Sequence, residues 1–419
     1  MLNKDNIREL AYLTYIRGIE PIQGSDNCEA ALVDEWRVMV RKNTFKAGDV
    51  AIYFEIDSRV DPENPAFAFL AKKNYAVKTQ KYTFGGKGNF LSQGLIMSPA
   101  DFGWEVITDA YGLAPIGVKI NGVKHIVQDE SRFLTKELKI TFYDPMDNAR
   151  KGGTSQPMSK AAAFSQRHPK FTKSRFGRFL MRHKFTRNLI LFFFHPKKKK
   201  NGWPEWVIKT DEERCQNMPQ LFVPDSDYQK MDFWWTEKID GTSTTFTMRR
   251  KDKKLFVCSR NVAFVKGKED CYYDSNVYLE MAEKYHMEDT LRKILKDYVD
   301  WQFITIQAET YGAGIQKRDY SIAGHDMAVF NVIYKDKKGN VVRLNPYRGK
   351  AFCAKYDLPY VPVLWLSNIF PTCDELLAAA AGASELDGKP REGIVLRSED
   401  ATISFKAVDN EYLLKYHGG

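Results

Sequence analysis

Short apolar runs separated by turn signals dominate residues 1–125 of the chain. Turn signals such as Ala47-Gly48-Asp49 stand between runs that alternate hydrophobic and polar positions, a pattern typical of β-strands. Five or so short strands within about 100 residues favour a small barrel, so the pattern predicts an OB-like fold. The predicted strands cover residues 10–19, 29–33, 36–41, 50–56 and 90–97.

The pattern changes in the second half of the chain, where strand-like runs alternate with helical spacing. Apolar residues recur at the interval of an α-helix over residues 276–300 and again over residues 373–381. Strands mixed with helices at hairpin spacing predict an α+β domain built on antiparallel sheets, beginning near residue 221. The strands predicted here cover residues 303–308, 328–334, 393–396 and 403–405.

Between these regions, residues 126–220 form a predicted connecting segment with a strong positive charge. Residues 148–204 contain no acidic residue but 15 of the 63 lysines and arginines, interleaved with phenylalanines. That combination suits a phosphate backbone with stacking bases. A flexible basic linker fits the same composition, and the apolar run at 189–194 also fits a membrane surface. After this segment, Thr210 and Glu213 form a capping box that predicts a short helix.

Composition places few further limits on the protein. Its 419 residues are 43% apolar and 28% charged, as in ordinary soluble proteins. The six cysteines are scattered without a C-x-x-C pair, which disfavours a zinc site or a disulfide framework. No apolar run approaches the about 20 residues of a spanning helix. We therefore expect a cytoplasmic, monomeric protein with reduced thiols and no membrane partner.

The stretch 234–250, WWTEKIDGTSTTFTMRR, holds the first candidate for chemistry. Lys238 stands beside an Asp-Gly turn signal between two predicted strands, at the expected mouth of a pocket. An amine attacks only when neutral, and at a pKa near 10.4 only about one lysine in 2,500 is neutral at pH 7. Burial or a nearby cation must therefore lower the pKa. Gly241 permits close approach of a ligand, and Ser243 offers a hydroxyl. A surface hairpin with an exposed lysine has the same pattern.

Suitable partner side chains follow the lysine at the ends of predicted strands. Arg260 would clamp a phosphate or a ribose, and the carboxylate of Glu309 would accept hydrogen bonds from a ribose. Phe330 offers an aromatic face to a purine, and Glu392 and Lys406 end the series. Each of these residues alone is more often a core or surface residue, so only their joint order points to a site.

In chain order, the motifs are K-x-D-G, S-R-N, A-E-x-x-G, an aromatic strand, E-G-I-V-L-R and S-F-K. Their order resembles that of the covalent nucleotidyltransferases. These comprise RNA ligases, DNA ligases and mRNA capping enzymes. The chain is most similar to ATP-dependent RNA ligases with an OB module in front, because W-R-V-x-V-R-K, G-D-V-A-I-Y-F-E-I-D and T-D-E-E-R precede the lysine motif. The resemblance implies an OB-like domain at 1–125, a basic linker at 126–220 and a nucleotidyltransferase domain at 221–419.

The resemblance implies that Lys238 attacks the α-phosphorus of ATP and becomes a lysyl-AMP phosphoramidate. It also implies Mg²⁺ or Mn²⁺, organised by Glu392 through water. Lys406 would hold the α-phosphate, Phe330 the adenine face and Glu237 the adenine edge. Many ligases end in K-x-K, whereas the second lysine is missing here. The implied ATP- or AMP-binding residues are Glu237, Asp240, Gly241, Ser243, Arg260, Glu309, Phe330, Glu392 and Lys406.

The implied substrate is RNA, or a duplex containing RNA, with 5′-phosphate and 3′-hydroxyl ends. We expect nicks with RNA on the 3′-hydroxyl side. A DNA ligase, a capping-type nucleotidyltransferase and a nucleic-acid-binding protein with a degenerate nucleotidyl domain are the alternatives. Basic residues near a Gly-rich loop and in the basic segment are candidates for nucleic-acid binding, although the loop equally fits a solvated surface. These candidates are Lys78, Lys81, Lys87, Arg175, Arg178 and Lys197.

Overall fold

The structure is a computed structural model that describes residues 1, 3–4, 7–84, 89–142, 174, 180, 203–208, 212–260, 263–264 and 276–416. Residues 1–141 and 201–419 pack into one compact unit, and residues 142–200 are assigned to a second. Most of the basic segment therefore lies outside the described residues.

The N-terminal region folds into short, mostly antiparallel strands. They are β1 Ala11–Tyr15, β2 Gly18–Pro21, β3 Cys28–Val33, β4 Trp36–Arg41, β5 Val50–Phe54, β6 Ser58–Arg59, β7 Ala76–Val77, β8 Gln80–Thr83, β9 Asn89–Ser92, β10 Leu95–Met97, β11 Glu105–Thr108, β12 Pro115–Ile120, β13 Val123–Ile126 and β14 Thr141–Phe142. Strand β5 is buried along its whole length between β1 and β10, and β3 lies between β2 and β4. The predicted strand 90–97 is divided at Gly94, which has a φ of 92° and no room for a side chain beside Tyr53.

Two larger sheets make up the second region. Their strands are β15 Glu213–Arg214, β16 Phe233–Lys238, β17 Thr242–Arg249, β18 Leu255–Cys258, β19 Ala263–Phe264, β20 Trp301–Gly312, β21 His325–Asp336, β22 Val341–Arg343, β23 Val363–Ser367, β24 Gly393–Ser398 and β25 Ser404–Val408. A five-stranded sheet has the order β15-β25-β24-β16-β23, and a six-stranded sheet has the order β19-β18-β17-β20-β21-β22. The predicted α+β class, with antiparallel sheets behind an OB-like region, is confirmed.

The helices of the described residues are α1 Asp227–Lys230, α2 Val277–Lys284, α3 Met287–Asp297, α4 Pro346–Lys355, α5 Cys373–Ala380 and α6 Asn410–Tyr416. Helices α2, α3 and α4 pack on the six-stranded sheet, and α5 packs on the five-stranded sheet. The helical spacing predicted over 276–300 is confirmed and corresponds to two helices, because His286 adopts a left-handed conformation with a φ of 46° and separates α2 from α3. In the described part of the chain, no helix has the length and apolar character needed to cross a membrane.

The short helix predicted from the capping box at Thr210 is not observed. Thr210 itself lies outside the described residues, but Glu213 and Arg214 form β15, which pairs in parallel with β25. A 3₁₀ turn, Cys215–Asn217, follows. Pairing with the edge of the five-stranded sheet outweighs the local capping preference.

The apolar cores beneath the helices identify the face of each large sheet that carries the candidate residues. On the five-stranded sheet, Phe233 packs into a core with α5, so Lys238 lies on the opposite face by strand alternation. On the six-stranded sheet, Phe246 packs beneath α2 and α3. Ser243 and Glu309 therefore lie on the face that those helices do not cover.

Candidate active site

Lys238 stands where the chain passes from one large sheet to the other. It is the last residue of β16, and the turn at 239–241 leads directly into β17. A Cβ atom on Gly241 would lie 2.3 Å from the carbonyl oxygen of Thr310. Glycine is therefore required here by the protein's own backbone, whereas the sequence suggested close approach of a ligand.

An ion pair holds the Lys238 ammonium. Its Nζ donates to Oε2 of Glu392 at 2.6 Å, and the lysine side chain is 24% exposed. Burial alone lowers the pKa of Lys238, but the carboxylates of Glu392, Glu309 and Asp240 outweigh burial and raise the pKa above its ordinary value. With only these side chains around it, the lysine is a protonated ammonium at neutral pH. The expected lowering of its pKa therefore requires additional positive charge.

Glu309 is the second carboxylate of the cluster and lies directly opposite Ser243 on the neighbouring strand. Burial raises the pKa of Glu309 to about 8, and the neighbouring carboxylates add to this effect. Lys238 and Arg260 lower the pKa of Glu309, which places Arg260 within electrostatic reach of it. At neutral pH Glu309 is mostly a neutral carboxylic acid.

Strand β25 brings Lys406 to the sheet face that carries Lys238. Lys406 lies opposite Val395 of β24, and Val395 lies opposite Thr236 of β16. Directly opposite residues share a face of the sheet, and Thr236 shares that face with Lys238 by alternation. The sheet thus presents two cations, separated by one strand, on the same face.

Phe330 lies at a β-bulge in β21. Its neighbours Val329 and Asn331 both pair with β20, whereas Phe330 has no residue opposite it. A bulge redirects a side chain relative to the regular strand. Phe330 packs against an apolar cluster that includes Ile239, the residue after the candidate nucleophile. Its predicted contact with a purine remains a prediction.

Glu237 has a different environment from the one predicted. Neighbouring residues of a strand point to opposite faces, so Glu237 lies on the face away from Lys238. Its carboxylate accepts hydrogen bonds from the Ser384 hydroxyl and from the Glu385 amide, the latter at 2.8 Å. The structure therefore does not bring this carboxylate together with the other site residues.

The candidates for nucleic-acid binding fall into two groups. Lys78 is partly exposed, and Lys81 is exposed with its ammonium 3.7 Å from the carboxylate of Glu411. The remaining candidates, Lys87, Arg175, Arg178 and Lys197, lie outside the described residues.

Arg214 is a site candidate that the sequence reasoning did not identify. It pairs with Lys406 across β15 and β25, and the residue is only 6% exposed. Its Nη2 lies 3.4 Å from Asp57, whereas Nε and Nη1 have no hydrogen-bond partner among the described residues. Buried donors without partners are costly, so this guanidinium suits an anion. The available signal was its position in the T-D-E-E-R motif.

A metal site made wholly of protein ligands is not observed. No group of three His, Cys, Asp or Glu side chains is arranged to hold a metal ion within the residues that the structure describes. Glu392 and Asp240 nevertheless provide two acidic side chains close to the single lysine. Mg²⁺ commonly retains several waters and binds one or two carboxylates together with substrate phosphates. The cluster fits an ion held in that way, and the predicted role of Glu392 remains a prediction.

Comparison with protein families assigns both regions. Residues 231–417 match the family model described as RNA ligase, and residues 10–98 match a model described as an OB-fold domain. The resemblance stated from the motifs is confirmed, and the OB-fold match precedes the RNA ligase match along the chain. No curated protein sequence matches the chain.

Solved structures of Naegleria gruberi RNA ligase resemble nearly the whole chain at 24% sequence identity. The structure with PPi has a TM-score of 0.67 and covers 99% of this chain and 100% of that chain. A mutant with ATP and Mn has a TM-score of 0.66 and covers 99% of each chain. A mutant with AMP and Mn has a TM-score of 0.67 and covers 98% of this chain and 100% of that chain. At this identity the likeness shows the fold.

Proposed function

Since the chain carries a domain of the RNA ligase family behind an OB-fold domain, we propose that it seals RNA ends with ATP through a covalent lysyl-AMP intermediate. The observation that carries the proposal is the clustering of Lys238, Glu392 and Glu309 where the two large sheets meet. Structures of the similar Naegleria gruberi enzyme contain ATP, AMP or PPi. This supports nucleotide binding by the present chain.

In the first step, the Lys238 amine attacks the α-phosphorus of ATP. A nitrogen–phosphorus bond forms, the bond to the bridging oxygen of the β-phosphate breaks, and pyrophosphate leaves with the bonding electron pair. Before attack, the ammonium must lose its proton and leave its ion pair with Glu392. The carboxylates that raise its pKa therefore hold the nucleophile in an inactive form until positive charge enters the site.

A divalent ion, Mg²⁺ or Mn²⁺, would be held by Glu392 through water and by the substrate phosphates. When bound, it supplies positive charge that lowers the pKa of the lysine and offsets charge on the leaving group. Lys406 and Arg214, which lie side by side on neighbouring strands, supply fixed positive charge for the phosphates. Fixed charges of this kind stabilise a transition state without reorganisation.

In the later steps, an oxygen of the RNA 5′-phosphate attacks the phosphorus of lysyl-AMP, and the bond to Lys238 breaks. A 3′-hydroxyl then attacks the adenylated 5′-phosphorus, loses its proton and expels AMP as the phosphodiester forms. We propose a nick in duplex nucleic acid, with RNA on the 3′-hydroxyl side, as the substrate. The OB-like domain with Lys78 and Lys81 is the proposed duplex-binding surface.

The test uses ATP labelled at the α-phosphate, with Mg²⁺ or Mn²⁺. We expect a labelled protein band from the wild type and none from Lys238→Ala, because the amine is the acceptor. Lys230→Ala, a change at an exposed residue of α1, should behave as the wild type. A labelled adduct on Lys238→Ala would contradict the assignment.

Substrate choice is tested with the same labelled enzyme. It is offered nicked duplexes with RNA or DNA at the 3′-hydroxyl side, and we expect faster sealing with RNA. Equal sealing of all-DNA nicks would indicate a DNA ligase. Labelling by GTP instead of ATP would indicate a capping-type enzyme, and RNA binding without any adduct would indicate a degenerate domain.

A further inference from the structure

The Asp240 side chain, two residues after the candidate nucleophile, is held by the last described helix of the chain. The Tyr412 hydroxyl of α6 donates to Oδ2 of Asp240 at 3.0 Å. Tyr412 is 2% exposed and Asp240 is 5% exposed, so water does not compete freely for this contact. Burial raises the pKa of Tyr412, which keeps the hydroxyl protonated as a donor. A hydrogen bond to a charged group in such surroundings is among the stronger ones.

The backbone of Asp240 is held from the other side by a loop after β20. Its amide donates to the hydroxyl oxygen of Tyr320 at 2.6 Å. Tyr320 and Ser321 have φ values of 53° and 55°, a left-handed conformation that bulky residues adopt only when their surroundings impose it. Arg318 packs against this loop, since its guanidinium carbon lies 4.0 Å from the centre of the Tyr320 ring.

Arg318 also connects this loop to the segment that contains Glu392, directly before β24. It is 3% exposed, donates to the Pro390 carbonyl and forms an ion pair with Asp387. Pro390 stands two residues before Glu392. Asp240 is therefore part of a buried hydrogen-bonded frame around the Lys238 site.

Helix α6 is in turn fixed to the OB-like domain. The Gln93 side chain donates from Nε2 to Oδ1 of Asn410 at 2.8 Å, and Gln93 is 6% exposed. One residue further along α6, Glu411 lies 3.7 Å from Lys81 of β8. The helix thus contacts the OB-like domain at its first turn and Asp240 through the next residue.

We propose that α6 is a positioning element of the nucleophile site, in which Tyr412 holds Asp240 and Asn410 fixes the helix to the OB-like domain. Asp240 acts on Lys238 through the backbone, because it lies in the short turn between β16, which ends at Lys238, and β17. A displaced Asp240 would change the geometry at the amine. The inference rests on the proposed function, since lysyl-AMP formation is the step it concerns.

The test measures the rate of lysyl-AMP formation in single turnovers over a range of ATP concentrations. Tyr412→Phe keeps the ring and removes the hydroxyl, and we expect about a tenfold lower maximal rate, with the ATP concentration for half-maximal rate within twofold of the wild type. Tyr416→Phe is the matched control, because it removes a hydroxyl from the same helix while keeping the ring that packs on Tyr412. It should react as the wild type.

A double variant separates positioning from packing. If Tyr412 acts through Asp240, Tyr412→Phe causes no further loss in an Asp240→Asn background. The inference would be overturned if the rate losses of Tyr412→Phe and Asp240→Asn multiplied in the double variant. It would also be overturned if either single variant reacted at the wild-type rate. Wild-type protein that forms no adduct would refute the proposed function instead.

Asn410→Ala provides a second test of the role of α6 if Tyr412→Phe does not fold. The helix retains its N-terminal cap in this variant, because the Asp409 carboxylate accepts from the Glu411 amide. We expect a roughly threefold lower rate of adduct formation, smaller than for Tyr412→Phe because Asn410 does not contact Asp240 itself. An unchanged rate in folded Asn410→Ala protein would show that the OB-like domain does not position α6.

Discussion

Replacing Glu309 by glutamine tests the electrostatics of the site without ligands. The folded protein keeps Glu309 protonated up to about pH 8, whereas in the unfolded chain it ionises near 4.5. Ionisation therefore favours unfolding between these two pH values, and the wild type loses stability as pH rises through this window. Glu309→Gln has the shape of the protonated acid and cannot ionise, so it does not show this loss.

The expected magnitude follows from the distance between the two pKa values. One pKa unit corresponds to about 1.4 kcal/mol, so a rise from 4.5 to about 8 corresponds to about 5 kcal/mol. For a compact unit of roughly 360 residues, dividing this free energy by the expected entropy of unfolding gives a shift in Tm of about 6 °C. Part of this change falls outside the measured range, so we expect Glu309→Gln to gain about 4 kcal/mol, or about 5 °C, over the wild type between pH 5 and pH 8.5.

The assay is thermal unfolding of both proteins without nucleotide or metal, at closely spaced pH values. Glu283→Gln, at an exposed position of α2, is the control and should follow the wild-type curve. Parallel curves for Glu309→Gln and the wild type would refute the reasoning, because they would mean that Glu309 ionises in the folded protein as it does in the unfolded chain.

Two further predictions concern residues around the lysine turn. Arg214→Ala should raise the ATP concentration needed for half-maximal adduct formation about tenfold or more, because buried donors that suit an anion are lost. The control is Arg292→Ala, which removes an exposed arginine. An unchanged ATP dependence of Arg214→Ala would mean that Arg214 has only a structural role. Gly241→Ala should lower stability by about 1–3 kcal/mol and prevent adduct formation, because its Cβ would overlap the Thr310 carbonyl. Denaturant unfolding measures this loss against Gly18→Ala, where the nearest atom is 3.6 Å away, and equal stability of the two variants would contradict it.

The order of motifs along the chain was sufficient to predict the central cluster. Lys238, Glu309, Glu392 and Lys406 all lie in or beside strands of the two large sheets, as expected from their positions at predicted strand ends. Strand alternation and hairpin spacing are local properties, so the sequence carries them directly. The OB-like region was predicted for the same reason.

The parts that sequence reasoning missed depend on contacts between distant segments. Arg214 lies beside Lys406 because a two-residue strand pairs with the last strand of its sheet, whereas a local capping pattern at the same place indicated a helix. Tyr412 meets Asp240 only through tertiary packing. The different environment of Glu237 could have been expected from the sequence, because a strand residue beside Lys238 points to the other face.

The parallel pairing of β15 with β25 also imposes an order on synthesis and assembly. Arg214 leaves the ribosome long before its neighbour Lys406, which is 192 residues later, and contacts of such long range form slowly. Until β25 has been made, β15 cannot pair with it, and the Arg214 guanidinium lacks its neighbour Lys406. A chain that stops before β25 therefore cannot assemble the cationic pair, and ligase competence would appear only after Lys406 has been made.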